Sequence, residues 1–194
     1  MIDAQSVAQL RAQTGAGIMD CRKALEETNG DFEKAVDALR KRGQKVAAAK
    51  SSRETNEGLV HAYIHSNGKT GAMIEVLCET DFVARNEQFQ NFCHDIALHI
   101  AAANPLYLRI EDVPEEVIAR EKDIYLEQMA GENKPDEIKA KIIDGKFAKY
   151  YGDVCLMKQA FIKDDTMTIE QVIEEQIAKT GENIQIKRFA RFAL

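Results

Sequence analysis

Tryptophan is absent from the 194 residues and aromatic side chains make up only 7% of them, so the chain offers no stacking platform for bases. Long apolar runs are missing too. The longest are short stretches such as Ile100 to Ala103, far from the roughly 20 residues that a membrane span needs. The N-terminus, Met1-Ile2-Asp3-Ala4-Gln5, lacks the basic and apolar regions of a secretory signal, and the expected location is the cytoplasm. Cysteines are few and scattered. Cys21, Cys78, Cys93 and Cys155 stand singly without a Cys-x-x-Cys, which argues against a disulfide framework or a zinc knuckle and reads as small core residues. A basic excess is lacking as well: net charge is −6 and the isoelectric point is near 5.3. That total argues weakly against direct nucleic-acid binding and leaves only a local basic patch open. What is present, 45% hydrophobic and 30% charged residues, describes a globular chain of one or two domains.

From Val7 to Leu39 apolar residues recur at helical spacing in three bursts, each closed by glycine. The first burst carries Val7 and Leu10 and stops before Gly15. The second carries Ile18, Cys21 and Leu25 and stops at Asn29-Gly30. The third starts at the cap Asp31, carries Phe32, Val36 and Leu39, and is expected to stop at Gly43. Helices this short are marginal alone, so residues 1–43 are expected to pack as a miniature bundle. Residues 44–57, with Val46 as their only large apolar side chain, read as a linker that is helical at first through its alanines. With Arg40, Lys41, Arg42, Lys45, Lys50 and Arg53 this stretch reads either as a solvated linker or as a phosphate-binding strip.

The period then changes to two. Val60, Ala62 and Ile64 alternate with His61, Tyr63 and His65; after Asn67-Gly68, Ala72, Ile74, Val76 and Cys78 alternate with Met73, Glu75, Leu77 and Glu79. This is the pattern of a β-hairpin with an Asn-Gly turn. A last strand is predicted from Ile184 to Phe192, with its phase slipping near Lys187-Arg188, where a bulge is expected. Between them Phe89, Phe92, Cys93, Ile96, Ile100 and Ala103 form one helical stripe expected to cover the sheet. Pro114 and Pro135 sit at first helical positions, predicting helices from about Pro114 to Ala130 and from about Pro135 to Tyr150. Thr168 and Gln171 make a capping-box pattern for a helix ending at Gly181. Residues 58–194 therefore read as an α+β core with a three-stranded antiparallel sheet covered by helices.

Chemistry is hard to place on this frame. On a strand rising about 3.3 Å per residue, His61 and His65 lie roughly 13 Å apart and cannot share a metal. His94 and His99 diverge on a helix, and Glu75 and Glu79 fail as a hydrolytic pair. Thr14-Gly15-Ala16-Gly17 has neither a preceding strand nor a Gly-Lys-Ser/Thr ending, so it reads as a turn between helices. No nucleophile with its base is nominated. The expectation is a protein that is not an enzyme and needs no cofactor or metal. One junction stands out: Thr80-Asp81-Phe82-Val83-Ala84-Arg85-Asn86 sets a large aromatic and a carboxylate between strand and helix. Phe82 either folds back into the core or stands out as an anchor for a partner's pocket.

The segments Thr14-Gly15-Ala16-Gly17-Ile18-Met19-Asp20-Cys21-Arg22-Lys23-Ala24-Leu25, Asn29-Gly30-Asp31, Thr80-Asp81-Phe82-Val83-Ala84 and Gly181-Glu182-Asn183-Ile184 closely resemble the translation elongation factor Ts family. The resemblance is collinear over nearly the whole chain. It implies a ubiquitin-associated-like three-helix domain before the core, and a guanine-nucleotide exchange factor that binds elongation factor Tu and promotes GDP release. By motif match, dislodging the partner's magnesium falls to Thr80, Asp81, Phe82 and Val83, which favours the exposed reading of Phe82. Leu10, Ile18 and Met19 are expected either to dock on the partner or to form the bundle's own core. The turn at Thr180 and Gly181 is a further contact, although longer members have isoleucine where Thr180 stands. Those members also have two core subdomains, so this short form is expected to pair as a homodimer. The competing readings are a helical adaptor for a ubiquitin-like or ribosomal partner, and an RNA-binding module using Arg40 to Arg53.

Overall fold

The computed structural model describes residues 2–129 and 135–194. In order they form α1 (Ala4–Thr14), α2 (Ile18–Glu27), α3 (Phe32–Lys50), β1 (Glu57–Ile64), β2 (Thr70–Cys78), α4 (Asp81–Ala84), α5 (Glu87–Ala103), α6 (Glu115–Gln128), α7 (Asp136–Val154), β3 (Ala160–Phe161), β4 (Asp164–Thr168), α8 (Ile169–Thr180) and β5 (Gln185–Ala193). Ala130, where the sequence pattern ends the helix after Pro114, lies outside the described residues. The chain forms two compact units. One comprises the chain through His61 together with Ile74–Asp95 and Gln171–Lys187; the other comprises Ala62–Met73, Ile96–Glu170 and Arg188–Leu194.

In the first unit the N-terminal helices begin and end where their caps dictate. Asp3 accepts from the Ser6 N–H at 2.6 Å to start α1, and Asp31 accepts from the Lys34 N–H at 3.1 Å to start α3. Gly15 stops α1 at φ +66, a left-handed conformation that costs glycine nothing. Leu10, Cys21, Ala24, Leu25 and Ala35 are wholly buried, with Val7, Phe32, Val36 and Leu39 packed around them.

The third helix does not stop at Gly43. It runs to Lys50, so the helical start expected of residues 44–57 is continuous with α3, and Ala47 is buried. Gly43 is buried inside α3 facing α8: a Cβ placed on it would lie 3.7 Å from the Ala178 Cβ and 3.9 Å from the Glu174 carbonyl. A helix stops at a glycine that itself turns left-handed, as Gly15 does; Gly43 does not, and it packs against α8 in mid-helix. Because that added methyl would sit at ordinary contact distance, Gly43→Ala is expected to stabilise the protein by about 0.5–1 kcal/mol through helix propensity and a smaller unfolded ensemble. Urea unfolding measures this, and a lower midpoint would refute it.

The sheet order is β1-β2-β5, antiparallel, which with the helices makes the α+β architecture the pattern predicted. The Asn67-Gly68 turn closes the hairpin with Gly68 at φ +65 and the His65 N–H donating to the Thr70 carbonyl at 2.8 Å. Gly58 admits no side chain, because a Cβ there would lie 2.2 Å from the Val76 carbonyl oxygen. Ala72, Ile74, Val76 and Cys78 of β2 are buried. In β1 the apolar set instead faces outward: Val60 and Ile64 are exposed while His61 and Tyr63 are half-buried. Helix α5 lies against the sheet, His61 meeting the His94 ring in the first unit and Arg191 donating to the Ala101 carbonyl at 3.0 Å in the second. Its stripe of Phe89, Phe92, Cys93, Ile96 and Ile100 is buried, whereas Ala103, expected to continue it, is exposed at the helix end. All four cysteines are buried and unpaired; burial pushes the Cys78 thiol up to about 11 and the Cys93 thiol up to about 12.

The sequence pattern missed the β3-β4 hairpin, whose strands are too short for a visible period. Beside it in the second unit His99 is 1% exposed, its Nε2 at 3.0 Å from the Gln159 Oε1 and its Nδ1 accepting from the Ile162 N–H at 3.2 Å. Nδ1 must stay unprotonated to accept, so the ring is neutral, and burial lowers its pKa below the ordinary 6.5. Below that value the unfolded chain takes up a proton that the folded chain refuses. Stability is therefore full above pH 6.5 and falls as the pH drops through it. Melting temperature measured from pH 8 to about 5 should show this decline, with a shallower slope in His99→Gln; equal slopes would remove His99 as its source.

Candidate partner-binding site

The sharpest surface feature lies in the first unit, where β2 runs into α4. This four-residue helix is capped by Thr80, whose hydroxyl oxygen accepts from the Val83 N–H at 3.4 Å. Ala84 is buried and anchors its inner face. Phe82 precedes it by two positions, roughly 200° around a helix of 3.6 residues per turn, and so points away from the anchor. The ring is 83% exposed. Large aromatics are usually covered, so a ring standing in solvent on a capped turn needs a reason. Asp81 pairs with Arg85 at 3.2 Å and Val83 is half-buried, so within Thr80–Val83 only Phe82 projects freely.

A second segment meets this junction from the end of α8. Thr180 donates its hydroxyl to the Gln176 carbonyl at 2.9 Å, and Gly181 ends the helix at φ +74. The Glu182 carboxylate then reaches across to the residues between β2 and α4, accepting from the Glu79 N–H at 3.1 Å, the Thr80 N–H at 3.0 Å and the Thr80 hydroxyl at 2.6 Å. In return the Glu79 carboxylate accepts from the Asn183 N–H at 2.6 Å, and this bond, aided by Arg53, holds the Glu79 pKa below the ordinary carboxylate value. No sequence pattern announces this contact, because its members stand about a hundred positions apart.

The N-terminal bundle approaches the same region. The Lys179 side chain lies over Gly15, in the turn before α2. At the start of α2, Ile18 and Met19 are 53% and 69% exposed, positions that suit a partner contact. Leu10 is not available for one. It is wholly buried in the bundle's core, because its place in the α1 repeat faces α2 and α3. Half of the basic stretch is engaged within the chain: Arg42 pairs with Glu27 at 2.5 Å, Lys50 donates to the Gly181 carbonyl, and Arg53 faces Glu79 at 3.4 Å. A free phosphate-binding strip from Arg40 to Arg53 is thereby reduced to its exposed lysines.

The family model for Elongation factor TS matches residues 4–194. The chain belongs to that family. An Elongation factor Ts of Geotalea daltonii is 55% identical over 193 residues, covering 100% of this chain and 89% of the relative. One from Syntrophus aciditrophicus is 53% identical, covering 100% and 96%. Another, from Caldanaerobacter subterraneus, is 52% identical over 192 residues. Family membership makes the protein a translation elongation factor, and with it a component of protein biosynthesis. Among the described residues no group of three or more potential ligands is placed to hold a metal ion, and no helix is long and apolar enough to cross a membrane.

Proposed function

We propose that this chain is the guanine-nucleotide exchange factor for elongation factor Tu, and that Phe82 is its wedge. The exposed ring on a capped, anchored turn is the observation that carries this reading. A GTPase holds its nucleotide through a phosphate loop and a magnesium ion that bridges phosphate oxygens and side chains, so displacing either loosens both. Insertion of Phe82 into a pocket that opens only when the nucleotide site is distorted couples factor binding to nucleotide release. By linkage, GDP weakens the factor's binding by the same ratio. Thr80 and Asp81 shape the junction, through the cap and the Arg85 pair respectively. Ile18 and Met19 supply a second apolar contact, on a bundle of ubiquitin-associated-like form. Exchange makes and breaks no covalent bond, so the chain acts without a nucleophile or cofactor and is not an enzyme in that sense. It works in the cytoplasm, with the translation machinery.

The functional form is a homodimer. In the second unit Ala62, Ile64, Met73, Phe192 and Leu194 line a groove of about 450 Å³, with Ile64 at 67% and Phe192 at 73% exposure. A contiguous apolar patch on a sheet face is costly to leave in water and suits a second copy of the same face. Sedimentation at micromolar concentration checks this; a monomer alone would refute it.

Exchange itself is tested by mixing the chain with purified elongation factor Tu carrying a fluorescent GDP analogue. Accelerated release supports the proposal. Release at the unassisted rate overturns it and favours a non-catalytic helical adaptor.

A further inference from the structure

Phe82 sits on a helix of four residues, too short to hold its own shape in water. Something outside α4 must fix it. The bonds that do so come from two carboxylates, each serving the other's turn. Glu182 takes both the Glu79 and Thr80 N–H groups, and Glu79 takes the Asn183 N–H. Asn183, 2% exposed, is held in turn by its side-chain amide donating to the Arg53 carbonyl at 2.8 Å and the Ser51 carbonyl at 3.4 Å. None of these bonds belongs to a helix or a sheet ladder.

The Thr80 hydroxyl makes the arrangement directional. Its single proton goes to the Glu182 Oε1 at 2.6 Å, which leaves its lone pairs for the Val83 N–H. Glu182 thus orients the very oxygen that caps the wedge helix. Hydrogen bonds from neutral donors to a carboxylate are about twice as strong as neutral pairs, and three of them converge on this one side chain.

We infer that Glu182 is the positioning residue for Phe82: with Glu79 it forms a reciprocal clasp that joins the 180–183 turn to the 79–83 junction as one preformed contact surface. This rests on the exchange-factor reading for its functional consequence, though not for its geometry. A preformed wedge docks without first losing the freedom of a loose loop, and a loosened one is competent only for the fraction of time it visits the docking shape.

The test uses the full chain in Glu182→Ala and Glu182→Gln, each alone and combined with Phe82→Ala. In the free protein the Glu79 and Thr80 amides should exchange slowly with solvent in the wild type and rapidly in Glu182→Ala; unchanged protection overturns the clasp whatever the function. Affinity for nucleotide-free elongation factor Tu should fall by about tenfold or more in Glu182→Ala, the scale of one charge-assisted hydrogen bond. In Glu182→Gln, whose amide oxygen can take the Oε2 place and still accept from both N–H groups while its NH2 meets the Thr80 hydroxyl in place of an acceptor, the loss should be smaller. Because Glu182 acts through Phe82, it should cost little more once Phe82 is gone. Fully additive losses would mark a structural residue and refute the positioning role. If Glu182→Ala fails to fold, Glu182→Gln decides by the same cycle: a loss of affinity that vanishes once Phe82 is gone supports the positioning role, and an additive loss, or none, refutes it. If the wild type itself does not speed GDP release, the exchange-factor reading has failed, while amide exchange still judges the clasp.

Discussion

Phe82→Ala is expected to fold as stably as the wild-type chain and yet bind nucleotide-free elongation factor Tu about 30-fold more weakly, with a matching loss of accelerated GDP release. Stability should be unmoved because the ring is 83% exposed, so truncation removes almost no buried area and opens no cavity. The cap at Thr80, the anchor at Ala84 and the carboxylates of Glu79 and Glu182 all remain. Binding should suffer because an aromatic side chain that fills a desolvated pocket carries a large share of interface energy. Thermal unfolding and stopped-flow release of labelled GDP measure the two sides separately. Wild-type release rates in the variant would remove Phe82 from the mechanism, and a lowered melting temperature would show that the ring packs against its own chain.

Leu10→Ala has the opposite signature. Leu10 is wholly buried in a bundle whose other fully buried members are Cys21, Ala24, Leu25 and Ala35. Only Leu25 among these matches it in size, so each leucine supplies much of what holds three short helices together. Removing a buried leucine side chain costs about 2–5 kcal/mol, depending on how far the site collapses, against a total stability on the order of 5–15 kcal/mol for a domain. The variant should lose amide protection across residues 4–50 and lose partner binding only as a consequence. Met19→Ala, at a position 69% exposed, should keep full stability and weaken binding directly. The pair separates core from contact: an unaffected bundle in Leu10→Ala would contradict its placement, and unaffected binding in Met19→Ala would free α2 of a docking role.

Much of the fold is legible because it is local. The cap at Asp31, the stop at Gly15, the Asn67-Gly68 hairpin and the stripe on α5 are each written within a few neighbouring residues. The expected phase slip near Lys187-Arg188 appears as two consecutive exposed positions in β5. The places where local reading failed are equally physical. Gly43 looks like a helix stop, but whether a glycine stops a helix depends on what packs against it, and α8 does. The apolar and polar faces of β1 are both plausible inward faces by period alone; burial of Ala72, Ile74, Val76 and Cys78 in β2, with His94 against His61, turns Val60 and Ile64 outward.

The site divides in the same way. By itself the sequence determined that Thr80-Asp81-Phe82-Val83 is an unusual junction and, by resemblance, which family it marks. It left Phe82 and Leu10 each with two readings, because an apolar side chain carries no sign of which surface it will meet. Only the tertiary structure decided that Leu10 is core and that Phe82 stands in solvent. It also brought Glu182 onto Glu79 and Thr80, a contact between residues about a hundred positions apart that no spacing rule encodes. Caps, the Asn-Gly turn and apolar stripes follow from neighbours along the chain. The shape of a surface follows from distant segments satisfying one another's backbone groups, and that is settled only once the chain has folded.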